Sequence, residues 1–320
     1  MNKKEDYKES LKPFGYSMRN GYLYSLYLYM GIIKAVCHLY NYAGVEFLKG
    51  YVAHFCYVRL KSFDTMLKVV EEHHDCVTAN CILRMLADCV AVFRLIYMEP
   101  DKDIRMFRHC LYVIDGCKEN LAVLPEELEA VDDSMPDIEL QNIRNGIKFN
   151  RKHREDMIKD VNEILAHSPL KTKDEKAFNK IVEDRNWKFK EFKYTKQPRD
   201  NQYRMSDLYK MIMRFEDQDY FSFLSQYAHG LSMSNLVIHN HKLNSEGILI
   251  EGMALLETMI DYTLHFFNEE HFSIFTEFLQ PGIQEKVFSC FDKEHRPEIN
   301  RWNAMIYSKL NSIAFGNSQN

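Results

Sequence analysis

Long apolar stretches with helical periodicity dominate the chain, separated by short polar breaks. The period predicts helices over Tyr22 to Tyr42, Glu46 to His73, Thr78 to Met98 and Asp101 to about Glu119. Gly44 is a natural stop for the first. Pro100 ends the third, because proline lacks the amide a helix interior needs. Pro125 fits the first turn of a short helix, and Pro136 that of a long charged one ending near His167. Ser168 to Arg204 loses the period after Arg185 and reads as an irregular, lid-like connection. Helices resume over Ser206 to Phe215, Asp219 to about His229 and Ser245 to Asn268, with shorter ones beside Pro281 and Pro297. Ser245 is the expected N-cap of the last long helix. Short links between long helices make neighbours antiparallel, so the expected fold class is all-α, an up-and-down bundle of about ten helices. The expected organisation is an N-terminal bundle over residues 1–167, a basic-aromatic connection over 168–204, and a C-terminal helical part over 205–320 packing on the same core.

The stretch Thr78 to Met98 carries charges inside an apolar helix. At 100° per residue, Asn80, Arg84, Ala87, Asp88, Ala91 and Arg94 share one stripe about 120° wide, and the rest of the wheel is apolar. A surface helix has a broad polar face, so this pattern implies a central helix with a narrow polar seam. Arg84 and Asp88 stand at the i,i+4 spacing at which they pair. The seam is either internal wiring or the lining of a cleft, since an arginine held by a carboxylate also suits phosphate or carboxylate binding. As wiring, it predicts that Arg84→Ala costs roughly 3–5 kcal/mol.

Composition narrows the classes. Hydrophobic residues make up 46% and charged residues 27%, and only 12 Gly and 8 Pro occur in 320 residues, which favours helices over turn-rich β structure. A net charge of −5 gives no global attraction to nucleic acid. The eight cysteines lie mostly in apolar helical stretches without a CxxC pair, as reduced core thiols of a cytoplasmic protein would. The N-terminus lacks the apolar run of a signal peptide. Tyr22 to Tyr42 is the one membrane candidate, but Lys34, His38, Asn41 and its tyrosines make it a buried core helix instead, so no membrane is expected.

Three further clusters invite chemistry. In residues 223–241, Ser225 and His229 are four apart on one helical face, and Gly230 stops the helix so that His229 sits in its last turn. A histidine there can serve as a general acid or base, but no GxSxG elbow accompanies the serine. The alternative is a histidine hydrogen-bonded within the core. The run 185–199 alternates basic residues with aromatics, and Arg185, Trp187, Lys188 and Lys190 are its candidate nucleic-acid contacts. The more common outcome of such a run is aromatics packed on the bundle with lysines in water. Residues 71–76, EEHHDC, have no metal-ligand spacing and read as a solvated helix end, so no metal and no cofactor are expected.

Arg84-x-x-x-Asp88 inside an apolar helix, the Glu99-Pro100-Asp101 break, Trp187, and Tyr220-x-x-x-Leu224-Ser225-x-x-x-His229-Gly230 together resemble a bacterial helical family, domain of unknown function 5677. The resemblance covers roughly residues 45 to 235. It implies an all-α fold, brings no activity, and suggests that Arg84, Asp88, Ser225 and His229 meet in space. Asp88 stands where the family carries the longer Glu. Helical ribonucleases that need no metal offer an analogy, but their Arg–His spacing on one helix is absent here, Arg105 and His109 being too close.

Two functions follow. One is a scaffold or partner-binding module in which these residues form a buried network, with a protein or RNA as partner and oligomers allowed. The other is a phosphodiesterase or ribonuclease-like effector. In it Arg84 binds the anion, Asp88 orients Arg84, His229 moves protons, and Ser225 or Tyr227 assists.

Overall fold

A computed structural model describes residues 9–40, 44, 47–125, 137–212, 224, 225, 227, 241–267 and 281–297. Among the described residues the fold is all-α, a multi-helix bundle. The helices are α1 (Met18–Leu39), α2 (Leu48–Glu71), α3 (Cys76–Tyr97), α4 (Lys102–Val123), α5 (Asp137–Ala166), α6 (Pro169–Lys173), α7 (Glu175–Glu183), α8 (Met205–Ile212), α9 (His241–Phe267) and α10 (Pro281–Ser289). Side-chain caps explain several starts. Ser17 accepts from the Asn20 amide ahead of α1, and Asp101 accepts from the Asp103 and Ile104 amides at 2.9 and 3.2 Å ahead of α4. Asp75 starts α3 by accepting from the Val77 and Thr78 amides, both at 3.0 Å, so the EEHHDC run is a helix end followed by a cap.

Two expectations about elements change. Residues 168–204 do not form a continuous irregular lid. Ser168 and Asp174 cap α6 and α7, and α7 buries Ala177, Phe178 and Ile181 on one face. Only the stretch after Glu183 is irregular, and it is pinned by an antiparallel bridge between Phe189 and Gln202. Ser245 is not an N-cap, because α9 already begins at His241 and no Gly or Pro interrupts the first turn. The short helix expected at Pro125 and the helix expected beyond Pro297 fall outside the described residues.

The chain divides into two compact units. One comprises Met1–Asn41, Val52–Arg94 and Met205–Asn320; the other comprises Tyr42–Tyr51 and Leu95–Arg204. The boundaries thus fall inside α2 and α3 and at residue 204, rather than at 167.

In the first unit α1 packs along α9 and α10. Gly252 of α9 lies against Tyr22 and the terminal methyl of Met66, so a β-carbon there would have to push the Met66 side chain aside. The tyrosines of α1 are core residues with satisfied hydroxyls: Tyr22 donates to the Phe63 carbonyl of α2 at 2.9 Å, and Tyr29 shares a hydrogen bond with Thr263 of α9 at 3.4 Å. Phe93 of α3 stacks on Tyr262 and meets Phe266 edge-on, both on α9. Sequence singled out α1 as the membrane candidate. Among the described helices it is α3 that is long and apolar enough to cross a membrane, and here its Leu83, Leu86, Val90 and Phe93 are buried in the helical core.

In the second unit α4 and α5 pack as an antiparallel pair. Phe107 of α4 gathers Phe178, Phe189 and Phe192 into an aromatic cluster at centroid distances of 5.1, 5.9 and 5.7 Å. His109, fully buried, lies edge-on to Tyr51 and places Nδ1 3.3 Å from the Tyr97 hydroxyl.

Candidate functional site

The polar seam of α3 closes a network in the first unit. Arg84 and Asp88 pair on one helical face as their spacing predicts, Nη1 donating to Oδ1. Arg84 Nε donates to Ser225 Oγ at 3.1 Å, which joins α3 to a helical residue 141 positions later. Tyr209 of α8 donates its hydroxyl to the same Asp88 oxygen, and its ring lies under the guanidinium at 4.8 Å. Three of the four predicted site residues, Arg84, Asp88 and Ser225, are therefore brought together. His229 lies outside the described residues.

The network is half open rather than sealed. The Arg84 side chain is 15% exposed and that of Asp88 39%, while Tyr209 is 2% exposed. Burial pushes the Tyr209 phenol well above its ordinary range, and the Asp88 carboxylate pushes it further, so Tyr209 is a donor at every physiological pH. Sequence reasoning passed over Tyr209. Its signal was available: Leu208, Tyr209 and Ile212 form the buried face of α8, and a buried tyrosine must find an acceptor.

In the basic-aromatic run two of the rings are withdrawn from solvent. Trp187 and Phe189 are buried, and the Trp187 indole donates to Asp115 Oδ2 at 3.1 Å. Arg185 donates to the other oxygen of Asp115 at 3.1 Å. Lys188 and Lys190 lie over the rings of Trp187 and Tyr203 at 5.1 and 5.7 Å. Burial takes the Trp187 and Phe189 faces away from any base, and Arg185 is held by a carboxylate.

The second unit contains an arginine that the sequence did not point to. Arg108 is 5% exposed; Nη1 donates to the Leu95 carbonyl at 3.0 Å and to Glu99 Oε2 at 2.6 Å. Its Nη2 donates to the Phe189 carbonyl at 3.0 Å, its plane lies over the Phe189 ring at 4.6 Å, and its buried Nε has no hydrogen-bond partner. Burial lowers its pKa and the adjacent Glu99 opposes that shift. Arg108 thereby fastens the end of α3 and the irregular stretch after α7 to α4.

Compared with known proteins, the chain matches no family model, no curated protein and no solved structure. Function must therefore be read from geometry alone.

An open cleft of about 1010 Å³ lies elsewhere in the first unit, between the starts of α1 and α9 and the end of α2. Arg19, Glu71, His74 and Glu246 give it a polar rim, and none of the four network residues lines it. Among the described residues no three His, Cys, Asp or Glu side chains are grouped to hold a metal ion.

Proposed function

We propose that the chain is a non-catalytic helical module that binds a partner through its surface, with Arg84, Asp88, Tyr209 and Ser225 as internal wiring. The observation that supports this is the state of Arg84. An arginine serving a phosphate presents its donor fork outward. Here Nε and Nη1 are turned to Ser225 and Asp88, and the guanidinium plane lies on Tyr209. In the competing phosphodiesterase reading only the Arg84 donors not given to Asp88 and Ser225 would serve the anion.

The test is incubation of the full chain with single-stranded RNA, with and without a chelator. No cleavage is expected, and none should emerge on raising protein concentration. Cleavage abolished by Arg84→Ala or His229→Ala, with the helical circular dichroism intact, would overturn the module reading.

A further inference from the structure

We propose that the open cleft at the starts of α1 and α9 binds a small organic amine with an apolar body. The proposal goes beyond the partner-binding reading and does not rest on it. Floor and mouth of the cleft differ in chemistry. Leu11, Val70 and Leu249 line it and are themselves buried, which gives it an apolar floor. Tyr16, His74 and Glu246 also line it and are exposed, which puts them at its mouth. An apolar hollow of about 1010 Å³ with a few polar groups around it has the size and lining of a small-molecule site.

The backbone at the mouth is strained in two places. Tyr16 has φ 58° and His74 φ 51°, both in the left-handed region that disfavours a β-carbon. Each sits where a helical turn ends. The Tyr16 amide donates to the Leu11 carbonyl at 3.1 Å, and the Asp75 amide, one residue after His74, donates to the Val69 carbonyl at 3.2 Å. Glycine ordinarily takes such positions. Among the described residues one other non-glycine residue has positive φ, Arg185, and its side chain pairs with Asp115. The side chains of Tyr16 and His74 have no such return, for neither makes a hydrogen bond, ion pair or ring contact among the described residues. The Tyr16 ring is instead 58% exposed. Strain that no internal contact offsets, twice on one cleft, points to a side chain kept for a ligand.

Charge selects the ligand. Arg19 Nε donates to Glu71 across the rim, so those two charges cancel. The positive end of α1 and the negative end of α2 both open on the cleft and offset each other. Glu246 remains, with no ion-pair partner among the described residues. It stands in the second turn of α9, beyond the first turn where that helix's own positive end is felt. A carboxylate and an exposed phenol ring on one rim suit an ammonium group, which can pair with the acid and lie on the ring face. The carbon body of the amine would then cover the floor. An anion in the same place would meet two carboxylates against one arginine.

Three probes with one body and different heads test this: phenylbutylamine, phenylbutanol and phenylbutyrate. Ligand-observed NMR titration of the full chain should rank them amine, alcohol, carboxylate. The amine should bind with a Kd of about 1 mM or below, about tenfold tighter than the alcohol. Glu246→Gln should bring the amine down to the alcohol and leave the alcohol unchanged, which a loss of fold would not do. Tyr16→Gly should weaken the amine yet melt no lower than wild type, because glycine accepts the left-handed backbone freely. No binding of the amine, equal affinity for amine and alcohol, or preference for the carboxylate would overturn the proposal. So would an amine preference that survives Glu246→Gln.

Discussion

Arg84 and Arg108 both project from apolar helices onto an aromatic ring and a carboxylate, yet side chains hold the first and mostly backbone holds the second. Arg84 meets Asp88, Ser225 and Tyr209, and its carboxylate is 39% exposed to water. Arg108 meets two carbonyls and Glu99, and only 6% of its side chain is exposed. An ion pair that water can reach is screened, and its loss leaves groups that water can solvate. A buried arginine tied to carbonyls has no such fallback: its removal strands acceptors and an acid in a dry place. The same side chain is therefore adjustable wiring in one unit and a fixed rivet in the other.

The largest expected effect separates the two. Arg108→Ala should lower stability by about 3–5 kcal/mol, the range for breaking one side of a buried pair. Urea unfolding followed by circular dichroism would measure it, and a loss under 1 kcal/mol would erase the contrast. Arg84→Ala should cost about 1–3 kcal/mol, less than a sealed pair, because Asp88 can turn to solvent. Equal losses for the two variants would mean that exposure of Asp88 does not soften the site. Tyr209→Phe removes one donor and keeps the ring under the guanidinium, so about 1 kcal/mol is expected, and less in an Arg84→Ala background where the two act on one carboxylate.

The smallest effect sharpens the comparison from the start of α3. The Thr78 hydroxyl, and then the amide hydrogen bonds, hold the Asp75 carboxyl below its ordinary range. A depressed folded pKa contributes stability that is complete above the unfolded value near 3.9 and is lost as pH falls through the folded value. Asp75→Ala should therefore cost about 0.5–2 kcal/mol at neutral pH, and the gap from wild type should close in acid. A gap that persisted below the folded pKa would assign the cap's effect to something other than its charge.

The legible parts of this protein were those written in short sequence intervals. Apolar periodicity and the Pro100 break fixed α1 to α4 to within a few residues, because each helix carries its own signal. The Arg84–Asp88 pair was legible for the same reason, its four-residue spacing being set by one helix. Tyr209 and Ser225 reach Arg84 and Asp88 from 121 and 141 residues away, and no local pattern encodes such a meeting. Arg108 was less legible still. Two of its acceptors are carbonyls, which every residue carries, so its sequence neighbourhood holds no complementary side chain except Glu99 nine positions earlier. The helices α6 and α7 were missed because Ser168 and Asp174 cap pieces of only five and nine residues, too short to build a visible period.

The buried thiols turn the two-unit organisation into a clock. Burial pushes Cys56 in the first unit and Cys110 in the second both up to about 12, and neither side chain has measurable exposure. At neutral pH a thiolate is then so scarce in the folded chain that an alkylating reagent must wait for the helices around it to part. Cys56 reports openings of the first unit and Cys110 those of the second, each on its own timescale. Mass spectrometry of the two peptides over hours would show whether a cell's proteases meet one unit loosened while the other still stands.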